Sequence, residues 1–481
     1  MTEHSSAQDA LNGLHIIAAV TQQAVNYQFA QLHKREILPQ RLDLKLADTG
    51  LELKAELASP LVYFDLVTDH RSALFVLRMP KGVFSFWDGI GPNAKQKSVE
   101  FEDWSYAFTV ALDMQALAAA AIAAHVGIPS IVKEHLDKVD GSIFSIRHLF
   151  LDFTNADLAS YDPNRSRMTW PDRSPVTPGQ MTQFQDAIRN YFSSLKNSQH
   201  PYILGFAIDV HPSMPPPSAI DPTKSTFCTF HDNSGQGDNT LNFLLMTGHQ
   251  DFPKGADLPL IDRNLVTSRT FDGRFVIAAK VAWEGWLLRA IGDGLQTGDA
   301  AVGQDGSWAF KKVAERKKRG RNETSGGDYE ETITDTRQVS LKWKDAGEEV
   351  ELVLSGFAEH KDLIQYSSYS SWADASVTWS ASATLAVGHG GQVTLEVRDL
   401  KISEPVVGSS FWSSQAGLLG QHIAKNLRNE IRTIGLGALA LRLVMPAGDV
   451  FFFKNITKDV AGNLQFDVSY KAEPVTDALT H

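Results

Sequence analysis

The length, composition and charge of the chain set the first limits on what it can be. It has 481 residues, 43% of them hydrophobic and 21% charged, typical of a globular protein with two or three folding units. The formal net charge of −11 argues against nucleic acid as a main partner, because a phosphate-binding surface needs a basic field. The single cysteine, Cys228, excludes an intramolecular disulfide and a cysteine-based zinc site, and favours a reducing compartment.

The apolar segments do not indicate export or membrane insertion. The N-terminal sequence has no basic region followed by an apolar core, so we expect no secretory signal. The most continuous apolar run, residues 117–128, is mostly alanine and too short to span a bilayer. We therefore expect a cytoplasmic protein without a transmembrane segment, and later release from the cell stays open.

The N-terminal part begins with a helical pattern and continues as strands. Apolar residues at Ile17, Val20 and Ala24 predict a helix over residues 14–32. After Pro39 the period changes to two, which predicts a half-buried antiparallel hairpin over residues 42–57. Further strands are predicted over residues 61–67, 73–79, 83–87 and 104–112.

The middle part mixes helices, strands and one long loop. An alanine-rich helix is predicted over residues 114–125. A second helix is predicted over 177–195, where Thr177 supplies an N-cap and Pro178 the first helical position. Residues 213–240 are rich in Pro, Ser, Asp, Asn and Gly, and we expect a loop interrupted by a strand at 226–230. The remaining predictions are strands over 202–210, 241–246 and 274–279, and a helix over 283–291.

The C-terminal part starts with a charged stretch, residues 311–335, which we predict to be a loop. Alternation then returns near residues 350–354 and 393–397, and apolar residues at i, i+4 steps predict a helix over 418–433. Strands over 439–444, 450–453 and 464–470 are predicted to close the chain.

Together these elements predict an α+β fold in which long antiparallel sheets face a few long amphipathic helices. Strands that come as hairpins, rather than alternating with helices, argue against a doubly wound fold. We predict one elongated unit over residues 1–481, with an N-terminal helix-plus-sheet part (1–200), a middle part (201–335) and a C-terminal sheet and helix (336–481).

A short sequence is echoed near the two ends of the chain. Residues 77–87 and 443–453 both carry Met-Pro-x-Gly between an apolar segment and an aromatic one. This echo suggests two related helix-plus-sheet units, and the alternative is coincidence between two ordinary strand–turn–strand segments. The aromatic residues are expected to face either the core or an apolar ligand groove. The candidates for the groove are Phe84, Phe86, Trp87, Phe451 and Phe453.

The charged stretch contains seven basic residues within eleven positions, 311–321. Basic side chains near an anionic lipid surface contribute about 1 kcal/mol each, so a lipid headgroup contact is one hypothesis. The alternative is a solvated loop whose charge is balanced by the acidic residues after Gly327. The candidates for lipid contact are Lys311, Lys312, Lys317, Lys318 and Arg319.

Specific catalytic motifs are missing from the sequence: it contains no nucleophile elbow, no zinc-binding His-Glu-x-x-His pair and no phosphate loop. Within the polar segment 228–239, the order that starts at Asp232 loosely resembles the start of a calcium-binding loop, but its twelfth position is Phe243, where a bidentate Glu is required. Four histidines near acidic residues share no local motif: His148, His211, His231 and His249. We therefore predict no catalytic residue, no metal and no cofactor.

The middle of the chain resembles a known family. The runs 239–253 and 271–280, with the segment 202–208 and the first helix around Asn26, resemble the forty-seven-kilodalton proteins of clostridial neurotoxin gene clusters. The resemblance implies the tubular lipid-binding (TULIP) superfamily, in which a strongly curved antiparallel sheet wraps a long helix around an apolar groove. It also implies lipid binding and an accessory role beside a toxin or in a secreted complex, and it implies no catalytic residues.

Three hypotheses for function follow. The first is a non-enzymatic protein that binds a lipid or another apolar small molecule between sheet and helix. The second is an enzyme of the isomerase or cyclase type that acts on a hydrophobic small molecule in an apolar cavity. The third is a structural partner in a multi-protein complex.

Overall fold

The structure of the protein is a computed structural model. It describes residues 11–66, 69–89, 91–117, 140–196, 202–216, 218–233, 238–253, 261, 263–267, 270–297, 300–302, 308–321, 327–343, 350–387, 393–410, 413–432, 434, 436, 443–444 and 451–470.

The described part of the chain is dominated by strands. In chain order they are β1 (Ile16–Thr21), β2 (Arg41–Leu46), β3 (Leu51–Glu56), β4 (Leu61–Tyr63), β5 (Ser72–Asp88), β6 (Lys95–Leu117), β7 (Phe144–Tyr161), β8 (Ile203–Val210), β9 (Pro222–Phe230), β10 (Thr240–Thr247), β11 (Gly273–Ile277), β12 (Ala300–Val302), β13 (Trp308–Arg321), β14 (Asp328–Trp343), β15 (Glu351–Tyr366), β16 (Ser370–Val387), β17 (Val393–Ile402), β18 (Val406–Ser409), β19 (Leu443–Val444), β20 (Phe451–Lys458) and β21 (Leu464–Tyr470). The helices are α1 (Gln22–Lys34), α2 (Pro178–Lys196), α3 (Leu288–Gly294) and α4 (Ser413–Arg432). A π-helical segment (Val281–Leu287) runs directly into α3, and a short 3₁₀ turn covers Gly91–Asn93.

The strands form three sheets, and the neighbouring strands pair antiparallel. The N-terminal sheet has the order β19-β8-β7-β6-β5-β3-β2, with β4 beside β5. The central sheet has the order β20-β21-β11-β1-β10-β9, and the C-terminal sheet runs from β12 to β17 in sequence order, with β18 beside β16. With α1, α2 and α4 packed on these strands, this is the predicted α+β architecture, in which long antiparallel sheets face a few long helices.

An aromatic layer fills the space between the N-terminal sheet and α2. Phe184 of α2 packs edge-on against Phe84, Trp104 and Tyr106, with ring centroids 5.2–6.0 Å apart. These rings are buried. Such edge-to-face contacts add about 0.5–1.5 kcal/mol per pair beyond the burial of their area.

The first Met-Pro-x-Gly sequence does not separate two strands, as predicted, but lies inside the single strand β5. Met79 pairs with Trp104 and Gly82 with Phe101. Met79, Trp104 and Phe101 are buried in the core, and Gly82 faces the Phe101 ring. The residues between them on both strands are exposed, and Asp103 has a φ of 52°. This matched irregularity keeps the apolar face of both strands towards the core. The second copy, residues 445–448, lies outside the described residues.

The predicted first helix is wrong over residues 16–21, which form the central strand β1. All six residues are buried, because β10 and β11 flank the strand and both faces of the sheet are covered. A continuous apolar run of this length is ambiguous between strand and helix. Helix α1 begins only at Gln22, where the Thr21 hydroxyl accepts a hydrogen bond from the Ala24 N–H at 3.1 Å.

Two further predictions need correction. The helix predicted over 114–125 is wrong at its start, because β6 continues to Leu117, and residues 118–125 lie outside the described residues. The loop predicted over 311–335 is instead most of the hairpin β13–β14. Its basic and acidic halves face each other across the strands: Arg319 pairs with Glu330 and Lys318 with Glu331. Opposite charges in such positions stabilise a sheet.

Helix α4 packs on one face of the C-terminal sheet. Arg337 of β14 makes a two-pronged ion pair with Glu430 of α4, with N···O distances of 2.8 and 3.3 Å. Where β13 begins and β14 ends, Trp308 and Trp343 pack against Trp283 of the π-helical segment. The sheet is thereby joined both to its own helix and to the middle of the chain.

The predicted helices at 177–195 and 418–433 and the strand at 464–470 are confirmed.

Candidate functional site: a cavity at one end of the central sheet

A cavity of about 700 Å³ lies where three neighbouring strands of the central sheet begin or end. At this end β1 begins after His15, β10 ends at Thr247 and β11 ends at Ile277. Five separate segments supply the lining. The lining residues are Gly13, Leu14, His15, Pro216, Ala219, Thr247, Gly248, Gln250, Ala278, Ala279, Lys280, Val281, Glu284, Gly285, Arg289, Ala461 and Asn463.

One wall of the cavity is set by His15 and Thr247. The Thr247 N–H donates to His15 Nδ1 at 3.1 Å, so this nitrogen must be unprotonated. The Thr247 hydroxyl lies 2.9 Å from the same nitrogen and is also buried. The ring is therefore held as the tautomer that carries its proton on Nε2.

A second part of the lining is set by Asn463, which precedes β21. Its side-chain oxygen accepts from the Ala279 N–H at 2.8 Å, and its amide nitrogen donates to Asp459 at 3.0 Å. Nearby, the Trp283 indole N–H donates to the Gly462 carbonyl at 2.7 Å. These hydrogen bonds fasten the loop before β21 to the start of the π-helical segment, so two chain segments distant in sequence share one rigid wall.

The mouth carries the charged side chains. Lys280, Glu284 and Arg289 are exposed, and Glu284 lies in the π-helical segment. π-helical turns occur frequently at functional sites, because the wider turn displaces side chains from their helical positions. The lining therefore combines small and apolar residues with a few fixed polar groups and a charged mouth.

This composition suits a small amphipathic molecule. The volume lies within the range of about 300–1,000 Å³ that is usual for small-molecule sites. Three glycines and four alanines keep the walls short, which leaves the space open. Within the described ranges, no group of three or more His, Cys, Asp or Glu residues could hold a metal ion.

Of the aromatic residues predicted from the Met-Pro-x-Gly echo, Phe84, Phe86, Trp87 and Phe453 are not among the residues that line this cavity. Phe84 and Phe86 are buried beneath α2 and Trp170. Trp87 is 41% exposed, and its indole N–H donates to the Thr49 carbonyl. Phe453 is buried against Phe275 and Phe466 in the central sheet, and the side chain of Phe451 is not among those described. Their contact with a ligand stays a prediction.

The predicted basic residues lie on β13, and the alternation of a strand divides them between two faces. Lys312 and Lys318 share the face of Arg337, which contacts α4, whereas Lys311, Lys317 and Arg319 lie on the opposite face. Lys311 also lines a second cavity of about 480 Å³, together with Gln338 and Phe357. The sequence pattern did not show this division because it was interpreted as a loop.

The four histidines considered from the sequence make separate contacts. His148 stacks on Phe150, with ring centroids 4.9 Å apart. His231 Nδ1 lies 3.0 Å from the Asn239 side-chain oxygen, and His249 Nε2 lies 2.9 Å from the Met214 carbonyl. His211 follows β8 directly. The histidine that lines the cavity, His15, was missed, because its partner Thr247 is 232 positions away in the sequence.

Comparison with known proteins gives structural neighbours only. No protein-family model matches the sequence, and no curated protein matches it in a sequence comparison. Structures similar to this chain include P47 from Clostridium botulinum A2 (TM-score 0.49, 10% identity, covering 95% of this chain and 98% of that chain). P47 of Clostridium botulinum E1 is similar at a TM-score of 0.48 and 11% identity, covering 95% and 99%.

A lipopolysaccharide binding protein is also similar, at a TM-score of 0.34 and 9% identity, covering 95% of this chain and 99% of that chain. The two P47 structures are of the protein type that the sequence resembles. With identities near one residue in ten, the likeness is one of architecture. None of the helices in the described ranges is both long and apolar enough to cross a membrane.

Proposed function

We propose that the protein is a non-enzymatic binding protein for a lipid or another apolar small molecule, and that the ligand occupies the cavity at the end of the central sheet. The observation that supports this proposal is the lining, in which apolar and small residues form the interior and the charged side chains are exposed at the mouth. Such a site favours an apolar body with a polar end.

The affinity would come mainly from the apolar interior. Burial of apolar surface contributes about 25 cal/mol per Å², reduced by the cost of ordering the ligand and the side chains around it. Leu14, Val281 and Ala278 offer apolar surface inside the cavity. Lys280 and Arg289 are placed to attract an anionic end, and Glu284 beside them would disfavour a ligand with several negative charges.

The aromatic layer of the N-terminal sheet is a second candidate position for an apolar ligand. A ligand that contacts Phe84 or Phe86 would have to displace Phe184 or Trp170, with which these rings pack. Substitution of Phe184 by Ala would open this layer, whereas it leaves the cavity lining unchanged. Ligand binding that increases in Phe184→Ala would show that the opened layer can hold the ligand.

The direct test is native mass spectrometry of the purified full chain, followed by extraction with organic solvent and identification of what is released. The proposal expects an added mass that disappears on extraction, or binding of at least one member of a panel of fatty acids, phospholipids and sterols. A protein that carries no ligand and binds no member of the panel would contradict it. Conversion of a bound molecule into a product would instead favour the enzyme hypothesis.

A further inference from the structure

An exposed group of basic, apolar and aromatic side chains lies at the end of the C-terminal sheet that contains the turn between β15 and β16. We call it the distal outer patch, and it consists of Lys317, Arg319, Leu363 and Trp372. Leu363 is 40% exposed and Trp372 is 44% exposed. Large apolar and aromatic side chains are seldom grouped on a surface without a partner.

The register of the strands puts the members on one face. Lys317 lies opposite Thr332, Thr332 opposite Leu363, and Leu363 opposite Trp372, so a single row crosses four strands. With strands about 4.8 Å apart, this row is roughly 15 Å wide. Arg319 lies two residues beyond Lys317 on the same face of β13.

This face is opposite to the one that holds α4. Arg337 contacts Glu430 of α4, and the paired residues on its face include Ala358 and Val377, which are buried. Leu363 lies five positions from Ala358 on β15, and Trp372 lies five positions from Val377 on β16. Because side chains alternate along a strand, these odd separations put Leu363 and Trp372 on the other face of the sheet. The distal outer patch therefore points away from the helix.

Protection of a sheet edge explains only part of this arrangement. Strand β12 pairs with β13 as far as Phe310, so the basic stretch of β13 has β14 as its one neighbour among the described strands. Lysine and arginine on such an edge discourage pairing with other chains. Arg319 also pairs with Glu330 at 2.8 Å, and Lys317 with Glu315 at 3.3 Å. Neither function requires Leu363 and Trp372, two and three strands further in, to be exposed.

We propose that the distal outer patch docks on the surface of an anionic lipid bilayer. A Trp ring prefers the boundary between headgroups and acyl chains, because one end of the ring is apolar and the other forms hydrogen bonds. Lysine and arginine beside Trp372 are attracted by anionic headgroups. The patch combines both features on one face, in a chain whose net charge is otherwise negative. This inference is independent of the cavity and of its ligand.

The test is flotation of the full chain with vesicles of phosphatidylcholine alone or mixed equally with phosphatidylglycerol, at physiological salt. We expect binding to the mixed vesicles and little binding to phosphatidylcholine. Lys317→Glu should weaken binding roughly fivefold or more, since each cation near an anionic surface contributes about that factor. Trp372→Ser combined with Leu363→Ser should weaken it further, although the net charge is unchanged.

The matched control is Lys318→Glu, the same charge change at the next residue but on the face of α4. The screening length of about 8 Å at physiological salt is comparable to the thickness of a sheet, so this variant should bind considerably better than Lys317→Glu. Circular dichroism spectra should be unchanged in all variants.

Three results would overturn the proposal: no binding to the mixed vesicles, equal effects of Lys317→Glu and Lys318→Glu, or full binding by the Trp372→Ser, Leu363→Ser variant. The last result, together with binding to heparin or to an acidic peptide, would show a purely electrostatic edge that recognises polyanions. None of these results bears on ligand binding in the cavity.

Discussion

The Asn26 side chain on α1 pairs with the backbone of Val62 as a neighbouring strand would. The Val62 N–H donates to Asn26 Oδ1 at 2.7 Å, and Asn26 Nδ2 donates to the Val62 carbonyl at 3.0 Å. One turn earlier on the helix, Gln22 Oε1 accepts from the Phe64 N–H at 2.8 Å. The first helix is thus fastened to β4, the short strand at the side of β5, through polar side chains rather than through apolar packing alone.

Replacement of Asn26 by Leu should destabilise the protein by about 2–4 kcal/mol, because two hydrogen bonds are lost and the backbone groups of Val62 are left without these partners. The measurement is the free energy of unfolding in urea. Gln23→Ala on the exposed side of the same helix is the control and should change stability by less than about 0.5 kcal/mol. Equal stability of the two variants would show that water satisfies the backbone groups of Val62 as well as the Asn26 side chain does.

Gly82→Ala tests the close approach inside the Met-Pro-x-Gly sequence. A Cβ at this position would overlap the Phe101 ring and lie 2.5 Å from the carbonyl oxygen of Lys54. We expect a loss of about 1–3 kcal/mol, because a packed ring and a backbone atom both have to move. Gly141→Ala, where a Cβ meets no atom within 4 Å, is the control for the substitution itself. If Gly82→Ala unfolds at the same urea concentration as this control, the two strands separate more easily than their packing indicates.

The thiol of Cys228 should report unfolding. It is 1% exposed, and burial raises its pKa to about 11. At pH 8 the thiol in the folded protein should therefore stay protonated and react with an alkylating reagent orders of magnitude more slowly than in urea. Since Cys228 is the one cysteine of the chain, the labelled fraction is read directly by mass spectrometry. Rapid labelling of the folded protein would mean that the covering segment opens locally.

Asp209 should make stability depend on pH in an unusual direction. Burial raises the pKa of this carboxyl above its ordinary value of 3.8, while Ser225 and Arg147 lower it in part. At pH values between the ordinary pKa of Asp209 and its raised pKa, the folded state binds more protons than the unfolded state. Raising the pH through this window therefore favours unfolding.

The variant Asp209→Asn lacks this titration. Its stability relative to the parent protein should increase as the pH rises from below 3.8 to above the raised pKa of Asp209, and then level off. Urea unfolding of both proteins over a pH series checks this. A relative stability that instead falls with pH would mean that the ion pair with Arg147, at 3.9 Å, outweighs burial.

Regular alternation made part of the fold predictable. Apolar and polar residues alternate in the hairpin β2–β3 and in strand β21 because one face of each is more buried than the other. The start of α2 is predictable from the N-cap residue Thr177 and from Pro178. Strand β1 was mistaken for a helix because it is buried on both faces and has no alternation to detect. The hairpin β13–β14 was mistaken for a loop because charged and polar residues dominate its cross-strand pairs beyond Phe310.

The cavity could not be predicted in the same way. Its lining comes from five segments between Gly13 and Asn463, and each of them alone has the composition of an ordinary turn or helix start. The aromatic strands were predicted to line a groove because their composition is unusual. In the structure, Phe84 and Phe86 pack against other rings, and the open volume is bordered by small residues. Composition identifies segments with large side chains, whereas a binding site also needs volume that side chains leave unfilled.

The most direct test of the account is a titration of the full chain with a fluorescent fatty acid, comparing Ala461→Phe with Val460→Phe. Ala461 lines the cavity, whereas its neighbour Val460 is fully exposed and outside the lining. We predict that Ala461→Phe fills the cavity and weakens binding at least about tenfold, as a loss of roughly 1.4 kcal/mol would do, and that Val460→Phe binds like the parent protein. Equal binding by both variants and the parent would contradict the placement of an apolar ligand in this cavity.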